Sequence, residues 1–289
     1  MAEPVRPARG TTPGQDPNLV YALGSSPGES ARLQRQADEL AADSAYLLGR
    51  VGLRPGQSAI DLGCGPRGIL DLLAGQVSPA GRVVGLDADP SHTAMAAEFA
   101  AGRRLSGVEI MTADARSTGL AAGSFDLVHA RTLLVNLPDP ADVAAEMIRL
   151  ARPGGWVASM EPDTEYARCY PPHPAFSRLC DIVTVVFRRH GADPWIGRRV
   201  AHLFRQAGLD DVQVEARVQM YPLGNSRRTV PLDLVRSMRS QVLEMGLASA
   251  AELDELDAAA RAHLDDPHTA VIFGLLFLTW GRKPDYARA

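Results

Sequence analysis

Apolar residues recur along this chain with two periods that alternate from segment to segment. After the turn-forming stretch Gly24–Gly28, the residues Leu33, Ala37, Leu40, Ala41, Leu47 and Leu48 return at mostly helical spacing, which predicts one amphipathic helix over 29–50. A short apolar run from Ser58 to Asp61 follows, then a glycine-rich turn, a helix from Arg67 to about Val77, and a second run from Arg82 to Asp87. Strand, helix and strand at such short spacing predict a doubly wound, mostly parallel α/β sheet.

The alternation continues with a helix over Ser91–Gly102, strands over Val108–Thr112 and Ser124–His129, and a helix from Pro140 to about Arg152. Arg152-Pro153-Gly154-Gly155 reads as the breaker that ends this helix before a fifth strand, Trp156–Glu161. A helix over Ile196–Ala207, a strand over Val212–Met220 and an apolar run from Ala270 to Trp280 complete seven strands. The expected organisation is a tail over 1–17 and a single domain over 18–289, with the sheet core at 57–161, 195–223 and 269–282. Segments 162–194 and 224–268, the latter with two helical patterns, do not fit a minimal sheet and are expected to form a cap near the carboxyl ends of the strands, where open α/β sheets bind ligands. Phe176, Val183, Val185, Val186, Phe187, Met238, Leu243 and Met245 make these segments apolar, either as packing faces or as the wall of an apolar acceptor pocket.

Composition narrows the chemistry. A net charge of −4 supplies no basic field for nucleic acid. Of 30 basic residues one is a lysine, Lys283, which excludes a P-loop lysine, a Schiff-base lysine in a central site and a Tyr-x-x-x-Lys dehydrogenase pair. Cys64, Cys169 and Cys180 form neither a Cys-x-x-Cys pair nor a disulfide framework, which fits a reducing, cytoplasmic compartment. The Pro-, Gly- and Arg-rich first 17 residues lack the apolar core of a signal peptide, and no apolar run is long enough for a membrane span. No histidine spacing or carboxylate cluster suggests a metal.

Candidate chemistry begins at Ile60-Asp61-Leu62-Gly63-Cys64-Gly65-Pro66-Arg67-Gly68, three glycines between a strand and a helix. Glycine lets the backbone approach a ligand closely, and this spacing by itself serves NAD, FAD and other nucleotides alike. Asp61 separates them: a carboxylate two residues before the first glycine repels a pyrophosphate and favours an ammonium and a sulfonium. Asp87, at the end of the second strand, can accept hydrogen bonds from both hydroxyls of a ribose. Asp114, after the third strand, can accept an adenine amino group, with the small Ala115 letting the ring lie against the backbone. Cys64 reads as a small residue filling the loop.

The order of these segments resembles the motifs of the class I S-adenosylmethionine-dependent methyltransferases. Asp61-Leu62-Gly63-Cys64-Gly65 is similar to the first motif, Gly85-Leu86-Asp87-Ala88-Asp89-Pro90 to the second, Ala113-Asp114-Ala115 to the third and Ser124-Phe125-Asp126-Leu127-Val128 to the fourth. Leu150-Ala151-Arg152-Pro153-Gly154-Gly155 resembles the turn before the fifth strand. The resemblance runs from about Gln57 to Glu161, and its nearest branch is the ubiquinone/menaquinone type, which includes many small-molecule enzymes of secondary metabolism. Arg67 stands where many members carry a third glycine. The resemblance implies a Rossmann-like sheet whose seventh strand is antiparallel, S-adenosyl-L-methionine as cofactor, and a small organic acceptor. It also implies that Asp61, Gly63, Cys64, Gly65, Asp87, Ala88, Asp114 and Ala115 line the cofactor, and that His129-Ala130-Arg131 border its methionine part. Tyr21 and Arg32, in or before the first helix, would close over it.

Methyl transfer to oxygen or carbon usually calls for a base, and two residues are candidates. His129 lies at the end of the fourth strand, as a base or as a histidine that shapes the pocket. Glu161 ends the fifth strand, as a base, a holder of a cationic acceptor, or a cap of the following turn. His173 in its proline-rich turn reads as a solvated loop residue. Two other readings stay open: an NAD(P)-dependent oxidoreductase, against which Asp61 and the missing Tyr-x-x-x-Lys speak, and a cofactor-binding relative with regulatory or other chemistry. Exposed faces of the first helix could pair in a homodimer.

Overall fold

A computed structural model of the chain describes residues 27–285; Tyr21 and the expected tail lie outside them. The elements in chain order are α1 (Pro27–Glu39), α2 (Ala41–Val51), β1 (Ser58–Leu62), α3 (Leu70–Val77), β2 (Arg82–Asp87), α4 (Pro90–Gly102), β3 (Val108–Thr112), β4 (Phe125–Arg131), α5 (Pro140–Leu150) and β5 (Ala151–Asp163). Then come β6 (Arg168–Tyr170), α6 (Pro174–Arg189), α7 (Gly197–Gln206), β7 (Asp210–Arg217), α8 (Val230–Ser237), α9 (Arg239–Glu244), α10 (Ala250–Leu264), β8 (Ala270–Ile272) and β9 (Leu275–Arg282).

Seven strands form one sheet in the order β3-β2-β1-β4-β5-β9-β7. The pairs among β3, β2, β1, β4 and β5 are parallel, and β9 runs antiparallel to both β5 and β7, as the resemblance implies. Strand alternation sends Ala59, Leu127, Ala158 and Met160 to one face, against Leu47 and Leu48 of α2 and Leu70 and Leu73 of α3. Ile60, Leu62, Val128 and Val157 go to the other face, with Val143 and Met147 of α5 and Val200 and Phe204 of α7. The ligand-competent edge therefore lies where β1, β2, β3 and β4 end.

Several expected boundaries move. The first helix is two helices that meet at Leu40, although bonds from Leu40 N to Gln36 O (3.0 Å) and from Ser44 N to Leu40 O (2.9 Å) cross the junction. Neither glycine nor proline marks this bend. Leu40 is buried, and the end of α1 is drawn aside by Arg67 on Asp38 and by Ser226 on Glu39. The expected turn Arg152–Gly155 lies within the irregular start of β5, where the register with β4 shifts between Phe125 and Leu127. Gly154 N donates to Lys283 O and Lys283 N to Gly155 O, both at 2.9 Å, so pairing with the chain after β9 holds this stretch extended. The last apolar run is two strands, because Gly274 bends the chain. Its φ is +72° and a Cβ there would lie 2.5 Å from Asp163 O, so glycine alone fits. β8 leaves the main sheet to pair with β6.

The second insertion holds three helices rather than two. Ser249 starts α10 by accepting a bond from Glu252 N (3.1 Å), and Arg228 is buried among the carbonyls of Tyr221, Leu264, Asp266 and Thr269 at 2.5–3.3 Å. Phe176, Val183, Val186, Phe187 and Met238 are buried in the core, Met245 packs against it, and Val185 and Leu243 are exposed. Apart from Val185 and Leu243, the apolar residues named for the cap are packing faces.

Candidate functional site

One cavity of about 370 Å³ lies at the carboxyl ends of β1, β2, β3 and β4. Asp61, Gly63, Cys64, Gly65, Pro66 and Gly68 form its floor. Asp87, Ala88, Asp89 and His92 form one wall, Ala113, Asp114, Ala115 and Arg116 another, and Arg131, Thr132, Leu133, Asn136 and Leu137 a third, with Leu33 and Gln36 of α1 above. No residue of the two insertions lines this cavity among the described residues, although Ser226 and Arg227 reach Glu39 at the end of α1.

The glycine loop takes its shape from left-handed backbone, with φ of +67° at Gly63, +56° at Gly65 and +55° at Gly68. Space is as tight as conformation: a Cβ on Gly63 would come 2.6 Å from Leu133 Cδ1, and one on Gly68 would come 2.2 Å from Asp61 Oδ2. Asp61 is buried beneath the loop. Its Oδ2 accepts from Ile69 N (3.0 Å), just before α3, and its Oδ1 lies 2.7 Å from His129 Nδ1. Asp87 Oδ2 accepts from Gly65 N (2.8 Å) and its Oδ1 from Asp89 N (2.9 Å), so the loop and the β2 terminus share one carboxylate. Each oxygen keeps acceptor capacity for a ligand hydroxyl. Asp114 is half exposed and paired with Arg116 (2.7 Å). Partial burial opposes its charge, yet the Arg116 bonds hold it below the usual carboxylate range. Burial, above all, pushes the Cys64 thiol well up, consistent with an inert loop filler.

Four expected contacts are absent from the wall. Arg32 spends its guanidinium on Glu29 (2.6 and 2.8 Å) and on Gln36 Oε1 (2.8 Å), and Gln36 Nε2 in turn donates to Thr132 Oγ1 (3.1 Å). Ala130 faces away because strand alternation puts its side chain on the opposite side of β4 from His129 and Arg131. His129 is fully buried behind Asp61, out of reach of an acceptor. Glu161, also fully buried, accepts from the backbone N–H groups of Leu133 and Leu134 (3.0 Å each) and Val135 (3.1 Å), where it caps the 3₁₀ turn Leu134–Asn136. Burial pushes its pKa up to about 7 against these three donors. His173 stacks on His263 with ring centroids 4.6 Å apart and is not among the residues that line the cavity.

The wall also holds residues that motif reading passed over: Gln36, His92, Thr132 and Asn136. His92 had a legible signal, since Asp89 as N-cap and Pro90 at the first position fix the start of α4 and turn its first turn toward Asp87. Thr132 had none. Its φ of +49° is uncommon for a β-branched residue, and Asn136 Nδ2 bonds its carbonyl at 2.7 Å. Arg131 is buried with neutral partners, Ser44 Oγ (3.1 Å) and Gly68 O (3.2 Å), and burial lowers its pKa below that of a free guanidinium. Among the described residues no group of three His, Cys, Asp or Glu side chains is placed to hold a metal.

A parallel sheet with a glycine loop after β1 and carboxylates at the ends of β1, β2 and β3 defines a nucleoside-binding α/β protein of the methyltransferase type. Comparison with known proteins agrees: residues 60–159 match the family described as methyltransferase domain. Demethylmenaquinone methyltransferase of Halalkalibacterium halodurans is 31% identical over 184 residues, covering 57% of this chain and 73% of that protein. Nocamycin O-methyltransferase of Saccharothrix syringae is 42% identical over 117 residues, covering 40% of this chain and 41% of that one. The first relatives are thus matched over about half of their length, 52% and 41%. A phosphoethanolamine N-methyltransferase of Haemonchus contortus, solved with phosphomonomethylethanolamine and S-adenosylhomocysteine, shares the fold with a TM-score of 0.55 at 17% identity, covering 84% of this chain and 52% of that one. The chain belongs to the class I S-adenosylmethionine-dependent methyltransferases.

Among the described residues, no helix is long and apolar enough to cross a membrane.

Proposed function

We propose that this chain transfers a methyl group from S-adenosylmethionine to a small organic acceptor. The observation that carries the reading is that three strand ends far apart in sequence, at Asp61, Asp87 and Asp114, converge on one cavity floored by a glycine loop in which Gly63 and Gly68 have no room for a Cβ. The donor set suits the cofactor. Asp87 would take the ribose hydroxyls, Asp114 the adenine amino group with Ala113 and Ala115 beside the ring, and Gly63 and Gly65 the methionine backbone. Asp61 and Arg131, of opposite charge, would take its ammonium and carboxylate ends. A pyrophosphate would meet Asp61 as a repelling charge, which disfavours an NAD(P)-dependent oxidoreductase.

The cofactor supplies a methyl group already activated on a sulfonium. What remains for the chain is to hold an acceptor atom in line with it and keep water out. Gln36, Thr132, Leu133, Asn136 and Leu137 would border that acceptor. None of these is titratable, and His129 and Glu161 are withdrawn behind the wall, so the reading gives them a supporting role and leaves rate enhancement to positioning. The negative net charge supports a metabolite over a nucleic acid, and with the cysteine pattern we take the setting to be cytoplasmic and the assembly to be a homodimer, which sedimentation tests.

Titration calorimetry with S-adenosylhomocysteine and, separately, NADH tests the reading before any acceptor is known. Heat with the sulfur nucleoside, lost on Asp87→Ala, is expected. Heat with NADH and none with S-adenosylhomocysteine would overturn it.

A further inference from the structure

His92 plays no part in the family motifs, yet it sits in the cavity wall with 4% of its surface exposed. Its Nδ1 lies 3.6 Å from Asp87 Oδ1, the oxygen that also accepts from Asp89 N. Among the described residues its Nε2 is buried without a hydrogen-bond partner. Asp87 at the end of β2 is the carboxylate beside the ring, and the charges of Asp89 in the following loop and of Glu29 at the start of α1, itself fully buried and held by Arg32, also act on it. Nδ1 faces Asp87 while Nε2 meets no acceptor among the described residues, so the charge of the nearby carboxylates, and not a second hydrogen bond, is what favours the imidazolium.

Resting on the cofactor reading above, we propose that His92 is a positioning residue for nucleoside binding: as an imidazolium it steadies Asp87 for the ribose and offsets the carboxylates gathered between β2 and α1. Burial by itself disfavours the imidazolium, but Asp87, Asp89 and Glu29 outweigh it and hold the His92 pKa above its ordinary value of 6.5. A nucleoside entering the cavity expels water from this cluster. The attraction between the imidazolium and the carboxylates then grows, and binding takes up a proton. Affinity is accordingly greatest at the acid end and falls as pH rises through the raised pKa.

The test uses 5′-methylthioadenosine, which carries the ribose and adenine without the amino-acid group that titrates in the same range. Calorimetric affinity is measured from about pH 5.5 to about pH 8.5, in two buffers of different ionisation enthalpy, for the wild-type chain, His92→Met and His92→Gln. Wild-type affinity is expected to fall about tenfold across the range with a buffer-dependent heat. Both variants are expected to bind with a flat profile and no proton uptake, and thermal melting checks that each is folded. A flat wild-type profile, or the same slope in either folded variant, would overturn the assignment of His92. Failure of the wild type to bind either this nucleoside or S-adenosylhomocysteine at any pH would overturn the cofactor reading and this inference with it.

Discussion

His129 Nδ1 lies 2.7 Å from Asp61 Oδ1, and both residues are buried beneath the glycine loop. The pair joins β4 to the start of α3, because the other Asp61 oxygen accepts from Ile69 N. A histidine at the tip of β4 thus holds the carboxylate under the cavity instead of reaching into it.

Removing the ring leaves a buried carboxylate short of one partner. His129→Leu is expected to lower stability by about 3 kcal/mol, read as a shift in the urea midpoint. His129→Asn, which can still offer a donor, is expected to recover part of the loss. If His129 were the base, turnover would collapse in both variants at unchanged stability.

Gly68→Ala puts a methyl group 2.2 Å from Asp61 Oδ2 at a φ of +55°. The carboxylate must move, and the loop with it. We expect binding of S-adenosylhomocysteine to fall at least about a hundredfold, equivalent to about 3 kcal/mol, by calorimetry. Gly75→Ala, in the middle of α3 with open space at its Cβ, is the matched control and is expected to leave binding unchanged.

Arg131→Gln tests the charge opposite Asp61. S-adenosylhomocysteine, which carries a carboxylate, is expected to lose about ten- to a hundredfold in affinity, while 5′-methylthioadenosine, which lacks it, is expected to change little. Equal losses for the two ligands would assign Arg131 to holding the loop through Gly68 O instead.

Glu161 gives stability a pH dependence. Burial raises its pKa in the folded chain to about 7 from an ordinary 4.5, so the folded state holds a proton that the unfolded chain has released. Its contribution is full below the unfolded value and is lost as pH rises through about 7, amounting to about 3 kcal/mol across the window. Urea midpoints at about pH 5 and about pH 8, compared between the wild-type chain and Glu161→Gln, should differ less in the variant.

Much of this architecture was legible in order of appearance. The runs at Ser58–Asp61, Arg82–Asp87 and Val108–Thr112 are short and apolar and alternate with helical patterns, so their strands could be read from periodicity alone, and the loop glycines and the carboxylates at or just after the ends of β1, β2 and β3 from residue type. The bend at Leu40 was not legible, because no breaker residue marks it and long-range contacts to Arg67 and Ser226 accompany it. The split of the last strand had a local sign, Gly274, but a glycine in an apolar run does not say which sheet each half joins.

By itself the sequence determined the alternation of strands and helices from β1 to β5 and the three acidic positions of the site, since these depend on local spacing and on the chemistry of single residues. Tertiary structure alone decided which side of the wall each polar group occupies. Two residues apart on β4, His129 is spent on Asp61 while Arg131 reaches the cavity, and Glu161 is consumed by three backbone donors from a turn 26 to 28 residues earlier. The reason is that a buried polar group takes whatever partner the packed chain brings within hydrogen-bond reach, and that partner is set by the crossing of distant segments, which no local pattern encodes.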